Sequence, residues 1–161
     1  MEQTLTKAPE LSVSLWLNTD EELTLVGLQG KVVVVEAFQM LCPGCVSHAL
    51  PQAKRVAETF AKQDVVVLGL HTVFEHHVAQ GTTEAITAFL HEYRIPFPVG
   101  IDQRSDGVPV TMAAYRMQGT PTQLLIDRNG NLRRQSFGLV EDLALGAEIM
   151  ALLNEPAHTD C

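Results

Sequence analysis

The chain has 161 residues, 46% of them hydrophobic and 19% charged, and a formal net charge of −8. That length suits one domain, 1–161, with a sizeable core, and a negative charge without a basic run disfavours nucleic acid and anionic lipid as partners. No apolar run approaches the roughly 18 residues that span a bilayer, and Met1-Glu2-Gln3-Thr4 lacks the basic and apolar regions of an export signal, so a cytoplasmic protein without a membrane partner is expected.

Residues 1–10 read as a loose lead-in. Leu11, Val13, Leu15 and Leu17 alternate with Ser12, Ser14 and Trp16, a strand period. Thr19 to Glu22 is a turn, and Leu23 to Leu28 a short apolar stretch closed by Gln29-Gly30-Lys31. Val32 to Phe38 opens with four consecutive valines, which predicts a strand covered on both faces, as in a parallel sheet. A helix follows to about Ala61. It buries Val46, Ala49, Leu50, Ala53, Val56, Ala57 and Phe60 and is kinked by Pro51, which removes a hydrogen bond and crowds the preceding turn. Val65 to Leu70 is a second buried strand and leads into a His-rich loop, His71 to Gly81.

Ala85, Ile86, Phe89, Leu90 and Tyr93 form one face of a second helix, capped by Thr82 or Thr83. Phe97 to Ile101 is a short strand, Asp102 to Gly107 a polar loop and Thr111 to Met117 a short helix. Gln123 to Asp127 and Asn131 to Phe137 are two strands joined at Asn129-Gly130. Arg133 and Arg134 suit an edge position for the second of them. Asp142 caps a final helix carrying Leu145, Ile149, Leu152 and Leu153, and the polar tail from Glu155 ends in Cys161, an odd third cysteine taken as incidental. Parallel crossovers followed by an antiparallel hairpin imply an α/β protein with a mixed sheet and helices on both faces.

The chemistry concentrates at Cys42-Pro43-Gly44-Cys45, between a strand and a helix. Two cysteines at this spacing and in this context read as a redox dithiol. With a helix beginning at Pro43, Cys42 is its N-cap, and proline at the first helical position loses nothing by lacking an N–H. The amides of Gly44 and Cys45 then point at the Cys42 sulfur, and with the helix dipole they favour a thiolate. Such placement lowers a thiol pKa from about 8.5 to roughly 3.5–7.5. Cys45, one turn in, faces the core, so Cys42 attacks and Cys45 resolves. A zinc site is the alternative, with His71, His76 or His77 completing the ligands, but no second Cys-x-x-Cys exists.

With this element order the chain resembles the thioredoxin fold, a three-layer α/β/α sandwich, and within it the TlpA-like branch of thiol-disulfide oxidoreductases in the redoxin (AhpC/TSA) superfamily. Leu25 to Val34 resembles the family's entry into its central strand, Cys42 to Cys45 with Pro51 its active-site helix, and Gly119-Thr120-Pro121-Thr122 the segment holding its cis-proline. The resemblance covers about residues 10–153, with an N-terminal strand extension and 72–94 as the inserted helix. It implies that Cys42 is the nucleophile and Cys45 the resolving thiol, that Pro121 is the cis-proline lying against the disulfide, and that Thr120 offers a backbone edge to a substrate peptide. It implies no cofactor beyond the Cys42–Cys45 disulfide. The partners are a protein disulfide or dithiol and an electron donor.

Two departures bear on redox potential: Leu41 stands where tryptophan is common, and Pro-Gly separates the cysteines where thioredoxin has Gly-Pro. Glu36, six residues before Cys42 in a strand that otherwise reads as buried, is costly there unless paired or protonated. It reads as a proton relay to Cys45 or as an ion pair with Lys31 or an arginine. His48, three residues after Cys45, tunes the dithiol or is simply solvated. A thiol peroxidase is a competing function, but the Pro-x-x-x-Thr-x-x-Cys pattern of peroxiredoxins is answered here by Val35 and Gln39. A non-enzymatic thioredoxin-fold module or metal carrier is the third.

Overall fold

The structure, a computed structural model, describes residues 5–156; Cys161 and the first four residues lie outside that range. Val32–Phe38 forms β3, buried at every position. Such a strand needs neighbours on both edges and cover on both faces. It has β4 (Val65–His71) parallel on one edge and β8 (Thr122–Ile126) antiparallel on the other. Beyond β4 lie β5 (Val99–Asp102), parallel, and β2 (Val13–Leu17), antiparallel. Beyond β8 lies β9 (Asn131–Phe137), and β1 (Thr6–Lys7) pairs with the start of β9. The seven-stranded order is β1-β9-β8-β3-β4-β5-β2.

Alternation along β3 assigns the two faces. Val32, Val34 and Phe38 pack with Cys45 and with α1 (Leu50–Thr59), α3 (Thr83–Glu92) and α5 (Asp142–Asn154), through Ala53, Ile86 and Ile149 among others. Val33, Val35 and Ala37 pack on the other side against Leu11, Leu25, Tyr115 and Met117. That second layer is thin: the N-terminal segment, a single turn at Val26–Leu28 and the five-residue α4 (Val110–Ala114). The fold is the expected thioredoxin-like α/β/α sandwich.

Several local expectations need correcting. The lead-in contributes β1, so β9 is not a bare edge along its whole length. Arg133 is pinned by Asp127 and Glu155, and Arg134 by Glu148, which accounts for both arginines without an edge role. Glu155 is thereby held rather than part of a free tail. Residues 102–107 contain half of a two-strand ladder, β6 (Arg104–Ser105) with β7 (Val108–Pro109). Asp142 does not cap α5: its carboxylate binds Gln52 and Arg55, tying α5 to α1. Thr82 does cap α3, accepting the Ala85 amide. The His-rich loop contains one turn of helix, α2 (His77–Gln80).

Gly69 of β4 sits where three side chains converge. A Cβ there would stand 2.9 Å from Val99 Cγ2, 3.2 Å from Phe38 and 3.3 Å from Phe97. All three are buried and cannot swing aside. Gly69→Ala is therefore expected to cost about 1–3 kcal/mol by overpacking. Urea unfolding checks this: the midpoint falls and the slope is unchanged.

Candidate active site

The helix begins at Pro43, directly after Cys42. The Cys42 carbonyl accepts the first helical bond, from Val46 N–H at 3.1 Å, so Cys42 occupies the N-cap position. Of the two amides expected at its sulfur, that of Cys45 donates, at 3.3 Å. The Cys42 thiol in turn donates to the Thr120 carbonyl at 3.5 Å. The Thr120–Pro121 peptide bond is cis, and Pro121 Cδ lies 3.6 Å from the point where a Cβ on Gly44 would stand. The helix is wide from Cys45 to Ala49, where Leu50 N–H reaches back five residues to Cys45. Pro51 explains the widening: it has no N–H, and its ring crowds the carbonyl four residues earlier.

The two thiols live in different media. Cys42 is half-exposed, whereas Cys45 is fully buried. Burial pushes the Cys45 thiol up to about 12, and the hydrogen bond with Cys42 pushes the same way. Glu36 is 1% exposed and belongs by alternation to the same face of β3 as Val34 and Phe38, which pack with Cys45. Burial raises its carboxyl from 4.5 to about 8, against the Gln123 hydrogen bond and the Arg134 charge, which pull it down. Neither Lys31 nor a direct arginine salt bridge partners it; its hydrogen bond comes from the Gln123 amide at 3.1 Å.

A second polar group ties the loop carrying Leu41 to the inserted segment. Gln39 and Gln80 are each 1% exposed. Gln80 Nε2 donates to Gln39 Oε1 at 3.0 Å, and Gln80 Oε1 accepts the Leu41 amide at 3.2 Å. Gln39 Nε2 donates to Thr120 Oγ1 at 3.3 Å and, more distantly, to Glu75. His71 lies beside this loop and accepts the Met40 amide at 3.4 Å. Burial lowers its pKa to about 4, so it is neutral at pH 7. Sequence reasoning assigned no structural part to Gln39 and missed Gln52, Gln80 and Gln123. For Gln52 a signal existed: 45, 49, 52 and 56 follow the three-and-four spacing of the buried stripe.

The remaining candidates divide. Leu41 is exposed beside Cys42. His48 hydrogen-bonds the Val140 carbonyl at 3.1 Å rather than either sulfur. His76 is exposed, but His77 is half-buried at the start of α2, with Nε2 3.5 Å from Arg104. Among the described residues no three His, Cys, Asp or Glu side chains converge as a metal site.

A thioredoxin-type sandwich with a Cys-x-x-Cys at the helix start and a cis-proline against it defines a class of protein, and comparison with known proteins agrees. The AhpC/TSA family matches residues 5–135. A crystal structure of a thioredoxin-like superfamily protein is 59% identical, with a TM-score of 0.92 over 94% of this chain and 99% of that one. A thiol-disulfide isomerase from Corynebacterium glutamicum is 46% identical, with a TM-score of 0.88 over 92% and 98%. NHL repeat-containing protein 2 of Gallus gallus is 29% identical over 77% of this chain, which spans only 16% of that longer protein. The chain belongs to the AhpC/TSA family.

The Glu36 carboxyl makes stability depend on pH. Its folded-state pKa lies above the unfolded value, so between about 4.5 and about 8 the unfolded chain loses the proton first and ionisation favours unfolding. Across that window Glu36→Gln is expected to gain on the parent by roughly 1.4 kcal/mol per pH unit at most. Unfolding both proteins in urea from pH 4 to 9 checks it; a difference independent of pH contradicts it.

Proposed function

We propose that the protein exchanges its Cys42–Cys45 dithiol with disulfides of protein substrates, acting as a thiol-disulfide oxidoreductase. The observation that carries the reading is the asymmetry of the two sulfurs. Cys42 is accessible, receives an amide at a helix start and adjoins Thr120, whereas Cys45 is buried one turn behind it. The high identity to a Corynebacterium glutamicum thiol-disulfide isomerase supports the same reading.

The Cys42 thiolate attacks one sulfur of the substrate disulfide. A Cys42–substrate bond forms, the substrate disulfide breaks, and the other substrate sulfur leaves as a thiolate. Cys45 then gives up its proton and attacks the Cys42 sulfur, releasing the second substrate thiolate and closing the Cys42–Cys45 disulfide. Substrate is reduced by two electrons and the enzyme oxidised by two; a second dithiol partner reverses the exchange. Thr120 and Pro121 border Cys42 and offer a backbone edge along which an extended substrate segment pairs. Glu36 accepts the Cys45 proton, directly or through one water, because a carboxyl raised toward neutrality is the better base there. Position 39, which carries the hydroxyl in peroxiredoxins, holds a glutamine already committed to Phe74, Gln80 and Thr120. That disfavours peroxide as the substrate.

Insulin reduction with excess dithiol tests the proposal. The parent turns over, and Cys42→Ser falls to background. Cys45→Ser accumulates a stoichiometric mixed disulfide through Cys42. Peroxide consumption outpacing insulin reduction, or a mixed disulfide formed by Cys42→Ser, would contradict it.

A further inference from the structure

A side-chain amide presents a donor and an acceptor of nearly equal size, so a glutamine beside a buried carboxyl can either help or hinder its ionisation. What decides is which end is held. Arg134 Nη2 donates to Gln123 Oε1 at 3.1 Å. A guanidinium has donors only, so the amide oxygen must face it. The Gln123 NH2 then faces the other way, to Glu36 Oε2 and Gln52 Oε1, each at 3.1 Å. Gln52 is fixed at its own far end, where Nε2 meets two acceptors, the Val140 carbonyl at 2.7 Å and Asp142 Oδ1 at 2.8 Å. The two amides are thus set head to tail, and neither can flip without opposing like ends. Arg134 is itself held by Glu148 and Ser136, both at 2.6 Å.

The strand registers place these groups together. Glu36 pairs with Gln123 across β3 and β8, and Gln123 pairs with Ser136 across β8 and β9. Arg134, two residues from Ser136, shares its face. Gln52 comes down from α1, and Gln52 and Gln123 are each 2% exposed.

We propose that Gln123 is a positioning residue for Glu36, oriented by Arg134 so that the carboxyl always meets an amide N–H and never an amide oxygen. The inference rests on the reading of Glu36 as the Cys45 proton acceptor, but it concerns the state of the carboxyl and can be read without turnover. The groups facing Glu36 from the packed elements are few. From β4 the register partner is Gly69, which carries no charge. From β8 and β9 come Gln123 and Arg134, with Glu148 of α5 behind the arginine. From the active-site helix come Gln52, backed by Asp142 and Arg55, and the Cys45 thiol on the same face. A fixed donor favours the ionised carboxyl and so opposes the effect of burial.

The test is the titration of the Glu36 carboxyl carbon by NMR in 13C-glutamate-labelled reduced protein, with the signal assigned by its loss in Glu36→Gln. Gln123→Met keeps the side chain's length but removes the donor; the midpoint is expected to rise by about one pH unit or more. Arg134→Met frees the amide and is expected to move it the same way. If the arginine acts through the amide, the double variant moves little further than Gln123→Met alone; if it acts only by its charge, the two shifts add. Should Gln123→Met fail to fold, Arg134→Met and Arg134→Lys carry the test, with lysine predicted to restore part of the parental midpoint by donating to the amide oxygen. An unmoved midpoint in Gln123→Met, additive shifts, or, where Gln123→Met does not fold, an Arg134→Met midpoint equal to the parent's would overturn the proposal. A midpoint that shifts while the resolving rate keeps its pH profile would instead remove Glu36 as the base and leave the positioning intact.

Discussion

Desolvation under the active-site helix is the constraint on which the rest of this site depends. β3 is covered on both faces, so an ionisable group placed in it either keeps its proton or must be given a partner. Glu36 and Cys45 both sit in that medium, and burial pushes the pKa of each upward. Cys42, one helical turn away, escapes it because the chain emerges from the strand before the helix begins. The difference in exposure between the two sulfurs is therefore a consequence of packing. One thiol lies half-exposed at the helix start, and the other is nearly inert until something removes its proton.

That constraint also explains the glutamines. Gln123 supplies the carboxyl with a neutral donor, and Gln52 accepts from the same amide, where a lysine or arginine in the same place would carry its own desolvation cost. Arg134 remains at the border of the site and reaches Glu36 through the Gln123 amide as well as by its charge. Gln39 and Gln80 do comparable work outside the helix. They satisfy the Leu41 amide and hold Thr120, so the inserted segment and the cis-proline segment are both referenced to the loop that carries Cys42. The insertion is thereby part of the active site's scaffold rather than an appendage to the fold.

Much of this was legible in the sequence where one physical signal dominated. Four valines without alternation marked a doubly covered strand, and Pro43 after Cys42 marked the helix start. Pro51 announced the distortion, which takes the form of one widened turn. Glu36 stood out because a charge in such a strand needs a reason. What stayed hidden depended on pairing across long separations. Glu36 and Gln123 are 87 residues apart, and Gln39 and Gln80 are 41 apart. Glutamine reads as a surface residue at most positions, so its burial shows only once register is known. Asp142 was misread for the same reason: a carboxylate at a helix start suggests a cap, and only the packing of α5 on α1 shows it turned toward Gln52 and Arg55.

In the proposed mechanism the buried thiol, not the exposed one, needs the carboxyl. Stopped-flow measurement of mixed-disulfide formation and of its resolution, in the parent and in Glu36→Gln between about pH 5 and 9, tests it most directly, since that range brackets the raised carboxyl. Resolution should slow by roughly ten- to a thousandfold, within or near the range for losing a general base, and lose its titration near the Glu36 midpoint, while formation changes little. Equal slowing of both steps, or none, would contradict the account and leave Glu36 as a charge of structural consequence only.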